Sequence, residues 1–425
     1  MKEKMQAAPT PFTSYQKLVI FILSITQFTV ILDFMIMSPL GDMIMKHMLL
    51  QPSQFGLAVA VYAISAGVSG VLTAGFADRF DRKKLLLFFY LGFIAGTFLC
   101  GFAYSYATLL AARIITGLFG GVIGSISMAI ITDIFSLQQR GRVMGFTFMG
   151  FSASQVLGLP IGLYLATHMA WGWKAPFLMV AIMALLIFVL IALKLQPVNK
   201  HLALQSDRSP LVHLWHTASR RDYRVGYSAT ALLSIGGFMM MPFGAAFAIN
   251  NLGLKNTDLT LLYMVGGLAS VIIMPVIGKL SDKVDKFTIF AVATVWMIIM
   301  VVIYTNLAVT PIWEVVIFNV LMMVGIMSRM VPSGALTSAI PDMPDRGAYM
   351  SINASLQQLA GGIAAIVAGL IVVKKNENSP LQHYNTLGYI MVVVSLVCLW
   401  LLYRVRALVK KKAVQQVVQA ETAVH

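Results

Sequence analysis

An ionisable group inside a long apolar stretch is costly to keep, and Asp33 is such a group. Of sixteen acidic residues, the others fall in polar segments or tails or, like Asp42 and Glu314, near the end of an apolar run. Burial disfavours a carboxylate, whereas an adjacent guanidinium favours it. A carboxyl group under these opposed influences is suited to binding and releasing a proton as its surroundings change. Arg113 is the candidate counter-charge. At about 1.5 Å per helical residue, Asp33 lies about 13 Å and Arg113 about 10 Å from the same end of their apolar runs, so their depths match. The pair is expected to couple proton movement to a conformational change, with a static buried ion pair as the alternative.

A second deep cation, Arg329, has no acid at its level. It could bind an anionic group of a substrate, or be satisfied by carbonyls and Gln side chains of a neighbouring helix. Asn353 and Gln357 stand one helical turn apart on a face shared with Gly361, with Gln358 beside them. Together with Tyr62, Gln155, Phe238 and Met241 they are candidates to line a largely apolar, adaptable cavity, since Met suits surfaces that must accommodate varied ligands.

The elements that position these groups are apolar helices. Hydrophobic residues make up 59% of the 425 residues and charged ones only 11%, which places the chain in a membrane. The expected spans are 17–42, 55–76, 85–104, 106–132, 143–167 and 176–195, then 225–251, 258–279, 287–306, 311–340, 351–373 and 386–404. The fold class is therefore all-α, with twelve transmembrane helices in two pseudo-symmetric six-helix bundles. The expected domains are 1–195, a polar linker at 196–223, and 224–425 with a basic tail. In the linker, Leu211, Leu214 and Trp215 beside Arg220, Arg221 and Arg224 suit a short helix on the membrane surface or a solvated loop. No cleavable leader is expected, because the first apolar run is too long and has no small-residue cleavage site. Cys100 and Cys398 sit in apolar runs as small hydrophobes.

With both termini cytoplasmic, twenty-four of the thirty-one Lys and Arg fall on the cytoplasmic side and five on the other, Arg113 and Arg329 lying within spans. Positive loops stay in the cytoplasm, so this bias sets the topology. It also accounts for the net charge of +15 without a nucleic-acid partner. The tail from Arg404 to Lys412 is expected to meet anionic lipid headgroups.

Two charged segments read almost alike after a long apolar run: Asp78, Arg79, Arg82 and Lys83 in the first half, and Asp282, Lys283 and Lys286 in the second. Their first acids are 204 residues apart, which suggests that one helical bundle was duplicated. The first segment resembles motif A of the major facilitator superfamily, G-x-L-A-D-R-x-G-R-K, with Ala74 in place of the first Gly and Asp81 in place of the inner one. The second keeps Gly278 and has Asp285 at the inner position. Span four, with Arg113, Gly117 and Gly121, resembles that family's motif B, and Gly117 and Gly121 are read as packing positions. Gly158, Pro160 and Gly162 are similar to its antiporter motif C with Leu159 inserted, where the family reading is a bend that tightens contact between the halves and an ordinary Pro kink is the rival.

The resemblance covers almost the whole chain and implies a transporter that rocks two bundles around a midplane site. It further implies that Asp78 docks on the start of span eleven and Asp282 on span five, as an inner gate. Within the family the chain most resembles the drug/proton antiporters and the arabinose-efflux-like exporters, and several of those antiporters pair a span-one acid with the motif B Arg, which implies the coupling role for Asp33 and Arg113. The expected function is proton-coupled export of small amphipathic compounds. A sugar or organic-anion transporter and a non-transporting sensor or scaffold are the alternatives. The chain has no G-x-x-x-x-G-K-[ST] loop, so ATP is not the fuel. No enzyme activity, cofactor or metal site is expected. The partners are a small-molecule substrate, protons and lipid, and the protein is expected to act as a monomer in a bacterial inner membrane.

Overall fold

A computed structural model describes residues 11–74, 76–199, 202, 210–342, 345–376 and 379–422. Among them, twelve helical segments are long and apolar enough to cross a membrane. The first six comprise α1 (Ser14–Ile36), a short α2 (Gly41–Met48), α3 (Pro52–Ala74), α4 (Arg82–Gly101), α5 (Tyr106–Ile134), α6 (Leu137–Ala153) continued by α7 (Leu159–His168), and α8 (Ala175–Lys194). A linker helix, α9 (Pro210–Ser219), follows. The second six comprise α10 (Arg221–Phe238) continued by α11 (Gly244–Asn250), α12 (Asn256–Lys283), α13 (Lys286–Thr305), α14 (Ile312–Ser338), α15 (Arg346–Ile371) and α16 (Tyr384–Thr422). An even number of crossings puts the start of α1 and the end of α16 at one end of the molecule, called here the tail end.

Local chemistry explains where these helices start and break. Thr13 and Gln16 form a reciprocal cap at the start of α1, as Ser105 and Thr108 do for α5, satisfying amides that have no intrahelical partner. The first span was expected to reach residue 42, but α1 ends at Ile36 because Pro39 cannot continue the backbone ladder. The chain re-enters helix as α2. Near Pro242 the seventh span likewise divides into α10 and α11 around a single 3₁₀ turn, Met241–Phe243. The last helix outruns the expected boundary at 404, continuing through the basic segment to Thr422.

In span five a π-helical turn, Ser154–Gly158, stands between α6 and α7 just before Pro160. Pro160 has no N–H to give, and the wider turn just before it accommodates that loss. The glycines of this stretch pack on α1: a Cβ on Gly158 would stand 2.7 Å from Leu32, and one on Gly162 2.7 Å from Ile36.

Close backbone approach also joins the two halves, as it must where lipid supplies no hydrophobic drive. Helices α3 and α15 run together along most of their length. A Cβ on Gly56 would lie 2.7 Å from the Ala365 oxygen, and one on Gly362 2.6 Å from Ile64. A second seam sets Gly267 of α12 against the π turn, where a Cβ would lie 3.0 Å from the Gln155 carbonyl carbon.

The repeated charged segments fold alike. Asp81 has φ −57 and ψ 126 and accepts from the amides of Lys83 and Lys84 at 2.8 and 3.2 Å. Asp285 has φ −56 and ψ 125 and accepts from the Thr288 amide at 3.2 Å. Each acid is the N-cap of the helix that follows. That is the physical reason an acid stands at the position where the resembled motif carries Gly.

Candidate coupling and transport site

Asp33 lies one turn before the end of α1, and Arg113 lies in the second turn of α5. Arg113 Nη1 donates to Asp33 Oδ2 at 2.9 Å and to the Asp33 carbonyl at 3.4 Å. Both side chains are fully buried. The guanidinium also sits 4.4 Å from the ring centre of Tyr62 on α3, a cation–π contact strengthened by the absence of water. Gly117 creates the room: its α-carbon faces the Tyr62 backbone so closely that a Cβ would be 2.3 Å from the Tyr62 oxygen. Gly121 does the same against Ala66, at 2.5 Å. The motif B glycines therefore bring α3 against α5 beside the ion pair.

The pair is held through one oxygen and one nitrogen. Among the described residues, Asp33 Oδ1 and Arg113 Nε and Nη2 have no partner that meets hydrogen-bond geometry. A bidentate Arg–carboxylate fork is the tighter arrangement, so this geometry leaves the two groups separable. Protonated, Asp33 could no longer neutralise Arg113, and α1 and α5 would lose their charge attraction.

The sequence candidates for the cavity divide into two sets. Tyr62 and Phe238 converge on Phe34, the neighbour of Asp33, with ring centres 5.2 and 5.7 Å from it. Phe238 belongs to α10, so this aromatic cluster crosses between the halves beside the ion pair. Met241 continues the same seam, its carbonyl accepting from the Ser38 hydroxyl. Gln155, in the π turn, and Asn353, on α15, are half-buried with carbonyl oxygens that accept no hydrogen bond from the described residues. Gln358 is half-buried and Gln357 exposed.

Arg329 is not brought to this cluster. It is 4% exposed and turns into the second half, where Nη1 points to Met297 Sδ at 2.7 Å and Ser395 Oγ at 3.4 Å. Its guanidinium lies 5.1 Å from the Phe290 ring centre. These partners come from α13 and α16, rather than from the carbonyls and Gln side chains of span eleven. The free cysteines are both buried, Cys100 beside Thr116 and Cys398 against the Ala229 carbonyl.

At the tail end, the expected docking contacts of Asp78 and Asp282 lie outside the described residues, because their side chains are not described. Arg82 is buried and reaches Asp133 Oδ2 at 3.4 Å and the Ala77 carbonyl at 3.1 Å. Lys83 donates to the Ala192 carbonyl at 2.9 Å, and Lys286 to that of Ser281 at 3.4 Å. Arg79 and Lys283 are exposed. In the second half, Arg220 pairs with Asp342 and Asp345 at 2.9 and 2.6 Å, and Lys412 with Asp342 at 3.0 Å. This network ties the foot of α10 and the tail helix to the segment between α14 and α15, next to α9, whose Trp215 is 77% exposed. Each of these contacts stays within one half.

The opposite end differs, in a way sequence reasoning missed. Asp42 of α2 is 1% exposed and accepts from Asn250 Nδ2 at 2.7 Å and Lys374 Nζ at 3.2 Å, both in the second half, and it forms an ion pair with Lys46 at 2.8 Å. Burial alone would raise the Asp42 pKa, but the hydrogen bonds of Lys46 and Asn250 and the charges of Lys374 and Lys46 bring it below the usual carboxylate value. This is an ion-paired latch between the halves. The i, i+4 spacing of Asp42 and Lys46 was visible in the sequence, but nothing there pointed to Lys374, 332 positions away.

Comparison with known proteins adds a family. The sequence pattern of the Major Facilitator Superfamily matches residues 23–339 and 226–423. The chain is 24% identical to the uncharacterized MFS-type transporter YbcL of Bacillus subtilis (strain 168), over 90% of this chain and 95% of that one. It is 34% identical to the multidrug resistance protein fnx1 of Schizosaccharomyces pombe over 32% of this chain and 25% of that one. In fold it is similar to a bacterial homologue of the human lysosomal transporter Spinster, crystallised inward-facing and unoccupied, with a TM-score of 0.74 at 15% identity over 94% of this chain and 99% of that one.

Proposed function

This chain belongs to the Major Facilitator Superfamily, and we propose that within it the protein is a proton-coupled exporter of small amphipathic compounds. It is a transporter rather than an enzyme. The observation that carries the reading is the fully buried Asp33–Arg113 pair next to an aromatic cluster shared by the two halves. A scaffold gains nothing from so costly a pair, whereas a carrier can use it. Ionised, Asp33 holds Arg113 and ties α1 to α5. On binding a proton it becomes neutral and releases the guanidinium, and the energy difference between the two arrangements biases the rocking of the halves. Phe34, Phe238 and Tyr62 offer apolar and aromatic surface to an amphipathic or cationic solute at the same place, so solute and proton compete for one region. The similarity over a third of the chain to a protein named for multidrug resistance supports this substrate class.

In this reading both termini face the cytoplasm of a bacterial inner membrane, in line with the charge bias, and a single chain forms the transport unit between lipid-facing surfaces. The test is a proteoliposome assay with an imposed pH gradient and a panel of lipophilic cationic dyes, sugars and organic anions. Proton-linked flux of the dyes is expected, and Asp33→Asn should abolish it while the protein still inserts and folds. Full proton-driven transport by Asp33→Asn would rule out the coupling role, and flux confined to sugars or organic anions would replace the substrate class.

A further inference from the structure

Above the Asp42 latch, at the end away from the tails, the halves are separated by a cleft of about 480 Å³. Lys46 and Gln51 line it from the first half, and Lys374, Lys375 and Asn376 from the second. We infer that this cleft binds a small oxyanion, a carboxylate or phosphate group, and that its occupation loosens the latch by drawing Lys374 away from Asp42.

The charges support this. Three ammonium groups line or floor the cleft, and Asp42 is the carboxylate described among them. Asp42 is shared by Lys46 at its Oδ2 and Lys374 at its Oδ1, so among the described residues neither ammonium is fully compensated. Lys375 adds a third positive charge. In the sequence Glu377 follows this segment, and the charges of Lys46, Lys374, Lys375, Asp42 and Glu377 sum to +1. Each ammonium has three N–H donors, and the amides of Gln51 and Asn376 add neutral ones. Surface lysines alone would make only a diffuse attraction. Here, however, Lys374 is 8% exposed and forms the floor, and a buried ammonium depends strongly on its counter-charge.

The link to conformation follows from the same contacts. The latch ties α2 to Lys374 and Asn250 across the halves. An oxyanion seated on Lys374 and Lys375, both in the second half, offers Lys374 a second acceptor without tying the halves together. Asp42 keeps Lys46, its neighbour within the first half, so the bond given up is the one that spans the halves. In the latched arrangement Asp42 occupies Lys374, whereas in the separated one that ammonium is free for the anion, so binding favours separation.

The test uses the full chain in phosphatidylcholine nanodiscs, with spin labels on Tyr104→Cys and Val309→Cys. These residues are exposed at this end, one in each half. Distances are measured with inorganic phosphate or with chloride at equal ionic strength, and, in a separate arm, with phosphatidylglycerol in the disc and no added phosphate. Phosphate should move the distribution to longer distances and chloride should not. A shift with phosphatidylglycerol alone would assign the site to a lipid headgroup. Lys375→Gln, which leaves the latch contacts intact, should reduce the shift several-fold without altering the resting distance. Asp42→Asn should lengthen the distance with no anion present. No shift in either anion arm, or a full shift in Lys375→Gln, overturns the inference.

Discussion

The two halves share a scaffold yet handle a buried arginine in opposite ways. In the first half Arg113 meets a carboxylate, an aromatic face and a helix crossing made narrow by glycine. In the second, Arg329 is almost as buried but meets a thioether, a hydroxyl and the Phe290 ring, with no acid among its described contacts. Matching turns at Asp81 and Asp285 show that the helical frame repeats. The buried chemistry does not repeat. The helical frame is common to both halves, whereas the buried ion pair of Asp33 and Arg113 stands in the first.

The largest effects should come from separating the members of the first pair. Asp33→Asn is expected to lower proton-driven flux at least tenfold in proteoliposomes, because a neutral amide neither attracts Arg113 by charge nor exchanges a proton. Next come the matched substitutions Arg113→Met and Arg329→Met, compared by thermal unfolding in one detergent. Arg113→Met leaves Asp33 without its counter-charge and should cost about 3 to 5 kcal/mol, the usual penalty for removing one partner of a buried pair. Arg329→Met removes a cation with no acid beside it, so the loss should be no more than about 1 kcal/mol, the scale of its contact with the ring. Equal losses would mean that Arg329 has an anionic partner, and the contrast between the halves would fail.

How much of this was legible in the sequence varied with the range of the interaction. Twelve spans, the charge bias and the repeat could all be read locally, because hydrophobic runs and loop charges are properties of short windows. The proximity of Asp33 and Arg113 was inferred from matching depth and from resemblance, and the structure places them 2.9 Å apart. Phe34 went unnoticed because one more aromatic in a span carries no signal. Its meeting with Phe238 depends on how two distant helices cross. The same is true of Arg329: depth says that it is buried, but rotation of α14 about its axis decides which neighbours it meets. The latch at Asp42 was hidden for a simpler reason. Loop charges were counted by side, and counting does not reveal pairing.

The smallest effects should come where the halves are alike. Asp81→Ala and Asp285→Ala each remove an N-cap, and caps of this kind contribute about 1 kcal/mol, so the two losses should agree to within a few tenths. One difference is built in. Asp285 also pairs with Arg406 of the tail helix at 3.2 Å, a partly exposed contact that adds little. Burial would raise the Asp285 pKa, but the Thr288 amide and hydroxyl and the charge of Arg406 bring it below the ordinary carboxylate value. A depressed acid stabilises above its unfolded pKa, and that contribution disappears as pH falls through the lower folded value. Between pH 5 and 8 the loss from Asp285→Ala should therefore stay constant, and below about pH 4 it should shrink as the parent protein itself loses the contact. A loss in one variant several times that in the other, measured by thermal unfolding at pH 7, would show that the repeated turn carries different loads in the two halves despite its matching backbone.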